Sequence, residues 1–593
     1  MKSFFSSIFS SCLGTLLAFT LMILILIGIG SGLMMNAGKQ SVHISESSIL
    51  KISIPDLLPE QTNNMTLQGL SLDQTEIIGL HDLANAIRHA AEDPKIKGLY
   101  IDGSMYNHGY ASLNVIREAL QKVKASGKFI VAYAQYLDHK NYYIASLADP
   151  VILHPIGFLD LKGFGLSIPH FKEFADKIGL DFNIYYAGEF KSATEPFRFN
   201  KMSPQNRLQL KAFLDEQYAR YIQEVSQARK LDASILKDNF DGFRSYSPDL
   251  AVSNRLVDMT GYEADAYQHM RTKLGLGESD KLPFVSLKDY FHHAHAARKD
   301  FSSSSRIAVL YAEGNIVDDK GHEGEIGRKY LKTLREIRTT KSIKALVLRV
   351  NSPGGSALLS DEMLKEIDLI REQGKPVVVS MGDYAASGGY YISCHADSIF
   401  ANPYTLTGSI GVFALIPDLS VLTGDKIGID MDTVGTGPMA NTFNIMLPWG
   451  PAESRIMQEN VDRIYQQFIS VIAKGRNLPR ENVMEIAKGR IWGGQKAMEL
   501  GLINSLGSLE DAISCAARMA STDQYRVSEF PTQTDPFQKM LEALQGNHSD
   551  EGSLFLQQSL KHELGPIYPY YRELNYYRNH TGLQMRLPFL VAK

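Results

Sequence analysis

The sequence predicts an α/β fold made of two copies of one unit. Short apolar segments typical of buried parallel strands alternate with amphipathic helices, and the same motifs recur in both halves of the chain. In the second half, a predicted strand at 345–350 is followed by a helix that ends just before Gly374, and then by a strand at 376–381. This order predicts largely parallel strand pairing within each copy.

The evidence for duplication is a set of segments that match in order and at almost constant offset. Residues 97–102 match 344–349 and residues 127–131 match 374–378 at an offset of 247, residues 142–149 match 390–397 at 248, and residues 178–181 match 427–430 at 249. Single-residue insertions in loops account for the drift. Internal similarity of this kind indicates repeated structural units.

The duplication divides the chain into four predicted parts. Residues 13–35 are apolar, carry no charge and are long enough to cross a bilayer, so we expect residues 1–40 to form a cytoplasmic stub and a transmembrane anchor. A cleaved signal peptide is the alternative. The repeats are predicted at 45–297 and 306–521, with a polar, serine-rich linker between them. The tyrosine-rich tail, 522–593, is predicted to pack on another surface or to contact a membrane.

Composition excludes several classes of protein. With 44% hydrophobic and 21% charged residues, the 593-residue chain is not typical of a disordered or coiled-coil protein. A net charge of −4 without a long basic run argues against nucleic-acid binding. Three cysteines are too few for a disulfide framework, and no HExxH, Walker or GxGxxG motif is present. We therefore expect no metal and no cofactor, and we interpret His292, His293 and His295 as a solvated segment.

Candidate chemistry lies in three glycine-rich segments of the second copy. In 351–356, the sequence Asn-Ser-Pro-Gly-Gly-Ser follows a predicted strand, and its glycines could present backbone N–H groups to an oxyanion. A plain turn is the alternative. Ser387 in segment 383–389 and Ser409 in segment 406–412 each have small neighbours that leave a hydroxyl accessible. At an offset of 248 the first copy carries His139 and Leu161 instead.

A serine nucleophile needs a base. His395 is near Ser387 in sequence, but no aspartate partner is evident and the first copy has Leu147 there, so a packed helix position explains it more simply. Lysine can serve as the base only when a dry pocket keeps it neutral. Lys191 lies in a loop of the first copy, and the aligned residue of the second copy is Ala440; taken alone, Lys191 is better explained as a surface residue.

Four motifs together resemble one family, the membrane-anchored signal peptide peptidases of the SppA (protease IV) type, in their long duplicated form. The motifs are NSPGGS, DYAASGGYY, LTGSIGVF and GEFKSATEPF, and the resemblance covers nearly the whole chain, with the tail matched only loosely. It implies a fold like that of Clp protease and crotonase, with Ser409 as nucleophile, Lys191 as general base and Ser387 not acting as nucleophile. Less directly, it implies that the backbone N–H groups of Gly354 and Gly355 stabilise the oxyanion.

This resemblance gives the repeats a functional meaning. The first copy keeps the lysine and lacks the serine, whereas the second keeps the serine and lacks the lysine, so one complete site requires both copies. The resemblance implies a tetrameric ring that lies mainly on the periplasmic side of the inner membrane and degrades cleaved signal peptides and other unfolded apolar peptides. A crotonase-type acyl-CoA enzyme and a non-catalytic membrane scaffold are the alternative functions.

Overall fold

The computed structural model describes residues 44–63, 77–103, 106–297, 303–321, 324–532, 583–587 and 591–592, with a few isolated positions elsewhere. Within these ranges it contains no helix long and apolar enough to span a bilayer. Of the predicted anchor at 13–35, only Gly14, Ala18, Phe19, Leu21 and Met22 are described, so that prediction lies almost entirely outside the described residues.

Strands and helices alternate through the first part of the first copy, as predicted, and a run of consecutive helices follows later. In order they are β1 (Ser48–Ile52), α1 (Leu80–Glu92), β2 (Ile96–Asp102), α2 (Tyr110–Ala125), β3 (Phe129–Asp138), α3 (His139–Ala145), β4 (Val151–Asp160), β5 (Leu166–Ser167), α4 (Lys172–Ile178), β6 (Asp181–Ala187), α5 (Glu195–Arg198), α6 (Pro204–Arg229), α7 (Ala233–Asp241), α8 (Pro248–Ser253), β7 (Met259–Thr260), α9 (Glu263–Leu274), β8 (Phe284–Ser286) and α10 (Leu287–Ala297).

The second copy shares the main strands and helices of the first, has additional short strands, and is followed by short strands of the tail. Its elements are β9 (Arg306–Glu313), β10 (Asn315–Ile316), β11 (Glu325–Ile326), α11 (Lys329–Thr339), β12 (Ile343–Ser352), β13 (Gly354–Ser356), α12 (Ala357–Glu372), β14 (Val377–Ala386), α13 (Gly388–Tyr391), β15 (Ser398–Ala401), β16 (Leu406–Gly408), β17 (Val412–Asp418), α14 (Pro451–Arg476), α15 (Arg480–Ile486), β18 (Ile491–Gly493), α16 (Gly494–Glu499), β19 (Ser505–Leu506), α17 (Leu509–Met519), β20 (Arg526–Phe530), β21 (Leu583–Arg586) and β22 (Val591–Ala592).

The two main sheets have equivalent topologies. The first has the order β7-β4-β3-β2-β1-β8, and its strands pair in parallel. In the second, β20-β9-β12-β14 continue into β15 and β19 by parallel pairing, while β16 and the antiparallel β18 lie beyond β14. The predicted α/β class is confirmed, and the order of equivalent strands agrees with duplication.

Strand burial explains why these segments read as apolar runs. In β12, the residues from Ala345 to Val350 are all buried, because helices cover both faces of a parallel sheet. The following helix, α12, starts where Ser356 accepts a hydrogen bond from the Leu359 N–H. These two features hold the glycine turn 351–356 between a buried strand and a capped helix.

A third sheet joins the two copies. Its order is β11-β10-β13-β21-β17-β6, so β6 of the first copy pairs with β17 of the second. The pairing is antiparallel and runs from Ala187 opposite Val412 to Asp181 opposite Asp418. The end of β6 therefore lies beside the beginning of β17. The residues that follow β6 are close to the residues that precede β17.

A buried ion pair also connects the copies. Glu60, from the segment between β1 and α1, accepts a hydrogen bond from Arg349 Nε of β12 at 2.9 Å and lies 3.3 Å from the ring of His81. All three side chains are buried. Burial alone would raise the pKa of Glu60, but the Arg349 charge and the His81 contact outweigh it and lower the pKa to about 2.

We predict that Arg349→Leu destabilises the protein by about 3–5 kcal/mol, because it leaves the Glu60 carboxylate buried with less compensation. A fall in the midpoint of thermal unfolding of the purified protein would show it. The matched control is Lys177→Ala, which removes an ion pair with Glu173 that is exposed to solvent and should leave the unfolding midpoint nearly unchanged. Equal effects of the two substitutions would contradict the assigned importance of the buried pair.

Candidate active site

Two serines lie on neighbouring tight turns of the second copy. Ser409 connects β16 to β17, and Ser387 connects β14 to α13; both have positive φ, 50° and 55°. The Ser387 N–H donates to the carbonyl oxygen of Gly408 at 2.8 Å, and the Ser409 N–H donates to that of Arg490 at 2.7 Å. Each serine is therefore held by its backbone in a conformation that few non-glycine residues adopt.

Lys191 reaches these serines from the first copy. It lies in the loop after β6, and the Phe190 N–H donates to the Lys488 carbonyl oxygen at 2.8 Å, which attaches the lysine loop to the second copy. Gly489 lies against the lysine so closely that an added Cβ would sit 2.6 Å from Lys191 Cβ. Glycine is therefore required at 489, both for this contact and for its φ of 76°.

A glutamine of α6 supports the same loop. Gln209 Nε2 donates to the Phe190 carbonyl oxygen at 3.0 Å and to Ser192 Oγ at 3.1 Å, while its Oε1 accepts from the Ile491 N–H at 3.1 Å. One buried amide thus connects the lysine loop to β18. Neither Gln209 nor Gly489 was identified from the sequence. The glycine before Ile491 was the one local sign that the chain makes a tight turn there.

The lysine amine meets both serines. Lys191 Nζ lies 2.8 Å from Ser387 Oγ, 3.0 Å from the Ser409 carbonyl oxygen and 3.1 Å from Ser409 Oγ. The lysine is 1% exposed, and no carboxylate among the described residues forms an ion pair with it. Burial alone lowers the pKa of Lys191 well below its ordinary value of 10.5. A neutral amine in this position can accept a proton from a serine hydroxyl.

The glycine turn packs beside Ser387. Gly354 and Gly355 lie in β13, opposite Arg586 and Met585 of β21. An added Cβ on Gly354 would sit 2.7 Å from the Gly388 nitrogen and 2.0 Å from the Met585 carbonyl oxygen, so only glycine fits there. The Gly354 N–H donates to Ser352 Oγ at 3.1 Å. The oxyanion role of these glycines stays a prediction.

The interpretation of His395 needs one correction. An aspartate partner exists: His395 Nδ1 lies 2.8 Å from Asp368 Oδ1, on α12, while Nε2 lies 3.0 Å from the Val471 carbonyl oxygen. With both ring nitrogens occupied away from the serines, His395 serves as a packed residue that connects α12 to α14. The partner was not evident from the sequence because it lies on the preceding helix.

The aligned positions of the first copy hold packing residues. His139 lies among Phe164, Tyr221 and Phe240, and its Nε2 accepts from the Lys162 N–H at 2.9 Å. Burial lowers its pKa to about 4. Leu161 is buried as well, and Ala440 of the second copy is exposed. The described structure therefore brings a lysine and serines together once, between the copies.

Comparisons with known proteins agree with this arrangement. The profile of Peptidase family S49 matches residues 122–277 and 370–523, one segment in each copy. "Protease 4" of Haemophilus influenzae is 31% identical over 86% of this chain and 84% of its own length, and "Protease 4" of Salmonella typhi is 31% identical over 88% and 86%. "Serine protease SPPA, chloroplastic" of Arabidopsis thaliana is 30% identical over 81% and 70%. The predicted resemblance is confirmed: the chain is a serine-type peptidase and belongs to Peptidase family S49.

Proposed function

We propose that the chain is a membrane-anchored endopeptidase in which Ser409 is the nucleophile and Lys191 the general base. The observation that carries the proposal is the buried amine of Lys191, which forms no ion pair with any described carboxylate and lies 3.1 Å from Ser409 Oγ. The name of one relative, "Putative signal peptide peptidase SppA" of Enterococcus faecium, 34% identical over 40% of this chain, supports signal peptides as substrates. The proposed substrates are cleaved signal peptides and other unfolded apolar peptides. Residues 13–35 would anchor the protein in the inner membrane, with its bulk in the periplasm.

The chemistry follows from the atoms that meet. Neutral Lys191 takes the proton of Ser409 Oγ as this oxygen attacks the substrate carbonyl carbon. Backbone N–H groups of the glycine turn hold the oxyanion, for which Gly354 would exchange its bond to Ser352. The lysine ammonium then gives its proton to the leaving nitrogen. Water, deprotonated by the same amine, hydrolyses the acyl-enzyme and restores Ser409.

A ring-like oligomer is the second part of the proposal. At the local repeat offset of 249, β6 corresponds to residues 430–436 and β17 to residues 163–169, which contain β5. On one side β5 pairs with β22, as β17 pairs with β21. Residues 430–436 are exposed and include Val434, which is 95% exposed. β17 lies between β21 and β6 in its sheet, so it is paired on both sides. Residues 163–169, which correspond to β17, have no described strand on the side opposite β22.

We infer that residues 430–436 of one subunit pair with residues 163–169 of the next. Such a contact is head-to-tail, because the two surfaces differ, and it closes into a ring when the rotation per subunit allows it. It would reproduce between chains the pairing that β6 and β17 make within one chain. We propose a ring of four subunits, the size that the family resemblance implies.

For the catalytic pair, we expect both Ser409→Ala and Lys191→Ala to lower kcat by roughly 10³-fold to 10⁶-fold, because each removes a group that moves the proton or forms the bond. Hydrolysis of an apolar peptide by the full-length protein measures this. The control is Ser393→Ala, which removes a buried hydroxyl that donates to the Gly389 carbonyl oxygen and should leave kcat nearly unchanged.

The Ser387 hydroxyl lies closer to the Lys191 amine than the Ser409 hydroxyl does, at 2.8 Å against 3.1 Å, so distance does not identify the nucleophile and a covalent probe is needed. A fluorophosphonate should phosphonylate the wild-type protein at Ser409, where the serine oxygen attacks phosphorus and fluoride leaves, and peptide mass spectrometry locates the adduct. An adduct on Ser387, or full activity in Ser409→Ala, would overturn the assignment.

The pH dependence of kcat/KM should follow the protonation of Lys191. Activity needs the neutral amine, so it falls as the pH drops below the Lys191 pKa and is retained above it. Because burial places that pKa well below 10.5, we expect high activity near pH 8, where an ordinary lysine would be less than about 1% neutral. An acid limb centred near pH 10 would contradict the role given to burial.

The proposed contact between subunits predicts that Val434→Glu lowers the oligomeric mass, since a charge would replace an exposed apolar side chain inside the contact. Light scattering after size-exclusion chromatography measures the mass. Ile235→Glu, at a position 68% exposed on α7, is the matched control and should leave the mass unchanged. A wild-type monomer, or a Val434→Glu ring, would contradict this interface.

A further inference from the structure

The first copy has a cavity at the edge of its sheet where the parallel strands begin. Its volume is about 580 Å³, which is within the range of pockets that take small ligands. Residues at the starts of β2 and β3 line it together with the ends of α2 and α9. The serines of the second copy follow the carboxyl ends of β14 and β16, at the opposite edge, so this cavity is separate from the candidate active site.

The lining of this cavity is strongly basic. Its described lining residues include one carboxylate, that of Asp149, against four lysines: Lys97, Lys124, Lys128 and Lys273. All of the lysines except Lys128 are exposed to solvent. Like charges gathered around a concave surface concentrate a positive potential there, and such a potential attracts anions.

The equivalent place in the second copy is closed by an ion pair. At the repeat offsets of 247 and 248, Lys124 corresponds to Arg371 and Asp149 to Asp397. Arg371 Nε and Nη2 donate to Asp397 Oδ1 at 3.0 and 2.7 Å. Lys124 Nζ donates instead to the Leu147 carbonyl oxygen at 2.7 Å. Charges that neutralise each other in the second copy are therefore left open to an outside anion in the first.

One of the four lysines has a structural role that both copies share. Lys128 Nζ donates to the carbonyl oxygens of Ala90 and Asp93, at the end of α1, at 2.5 Å each. Its counterpart Lys375 donates in the same way to the Ile337 carbonyl oxygen of α11 at 2.8 Å. A helix end explains Lys128, so an anion site depends on the other three lysines.

The positive charges around the cavity act on one another. Burial chiefly, and then the charges of Arg229 and Lys230, lower the pKa of Lys124. Burial and then the charge of Lys97 lower the pKa of Lys128. A nearby aspartate opposes the shift in each case. An anion placed between these amines would stabilise their charged forms.

The chain enters the first copy beside this cavity. Ser47, the residue before β1, is part of the lining. Twelve residues separate it from the end of the predicted anchor at 35, and an extended chain of that length spans at most roughly 40 Å. With residues 13–35 as the anchor, the basic edge is tethered near the membrane surface, where anionic lipids attract clustered lysines.

We propose that this cavity binds the phosphate group of an anionic phospholipid and so holds the first copy against the membrane surface. Lys97, Lys124 and Lys273 donate to the phosphate oxygens, as charge-assisted hydrogen bonds. The inference rests on the membrane anchor of the proposed function and adds a lipid site to it. Inorganic phosphate shares this chemistry, and the test distinguishes the two sources.

The test measures the reactivity of individual lysines in the full-length protein inserted into vesicles. One preparation contains phosphatidylcholine alone, a second contains one part of phosphatidylglycerol to two parts of phosphatidylcholine, and a third is phosphatidylcholine with inorganic phosphate in the buffer. An uncharged reagent acetylates accessible amines, and peptide mass spectrometry gives the rate at each lysine. We expect the rates at Lys124 and Lys273 to fall roughly fivefold with phosphatidylglycerol only. Lys122, exposed on the same helix α2 but outside the cavity lining, should react equally in all three.

A pair of variants at equivalent positions of the repeat tests the cavity itself. Lys97→Glu should remove the protection of Lys124 and Lys273, because a carboxylate in the lining repels the phosphate. The matched control is Lys344→Glu, at the equivalent exposed position of the second copy, and it should leave that protection unchanged. Both variants should cleave a soluble peptide with the kcat of the wild type. If Lys97→Glu does not fold, Lys273→Glu replaces it, with Lys124 as the reporter.

The outcomes separate this inference from the proposed function. Equal rates at Lys124 in the two lipid preparations, equal protection of Lys122, or protection that persists in Lys97→Glu overturns the lipid site. Protection by inorganic phosphate without phosphatidylglycerol overturns the lipid as the source of the phosphate. Release of the wild-type protein from pure phosphatidylcholine by concentrated salt would contradict the anchor instead, and the probe adduct on Ser409 tests the peptidase independently of both.

Discussion

The antiparallel pairing of β6 with β17 is the contact on which the site depends. Ala187 lies opposite Val412, so the loop after β6 and the turn before β17 leave the same end of the sheet. Lys191 and Ser409 are 218 residues apart in the chain, yet this register brings Nζ to within 3.1 Å of Oγ. A slip by one residue would direct successive side chains to the opposite face and separate the two groups.

A second constraint is that the lysine is buried and pairs with no carboxylate in the part of the chain that the structure describes. Moving a charged ammonium out of water is costly, and a buried lysine responds by losing its proton. Gln209, Gly489 and the Phe190 backbone hold the loop closed over it. The tight packing that keeps water out also lowers the pKa of the amine and so favours its neutral form. In this protein packing and reactivity have the same cause.

Much of the architecture was predictable because it depends on local pattern. Apolar runs such as β12 and a glycine after α12 predicted an α/β fold, and the constant offsets predicted two units. The α/β class is confirmed by the sheets, and the family that four motifs suggested is confirmed by the profile match. The rival functions, an acyl-CoA enzyme and a membrane scaffold, give way to a serine-type peptidase. Residues that act through distant partners were missed: Asp368 beside His395 and Gln209 beside the lysine loop show no local periodicity.

The sequence by itself determined the inventory: two diverged copies, a lysine retained in the first and glycine-flanked serines in the second, because residue identity and spacing are local properties. From the sequence alone, Lys191 was better explained as a surface residue than as a buried base. The tertiary structure alone decided that the lysine is buried, that it meets Ser387 as well as Ser409, and that this happens within one chain. Those facts depend on strand register and packing between residues far apart in the chain, which no local pattern encodes.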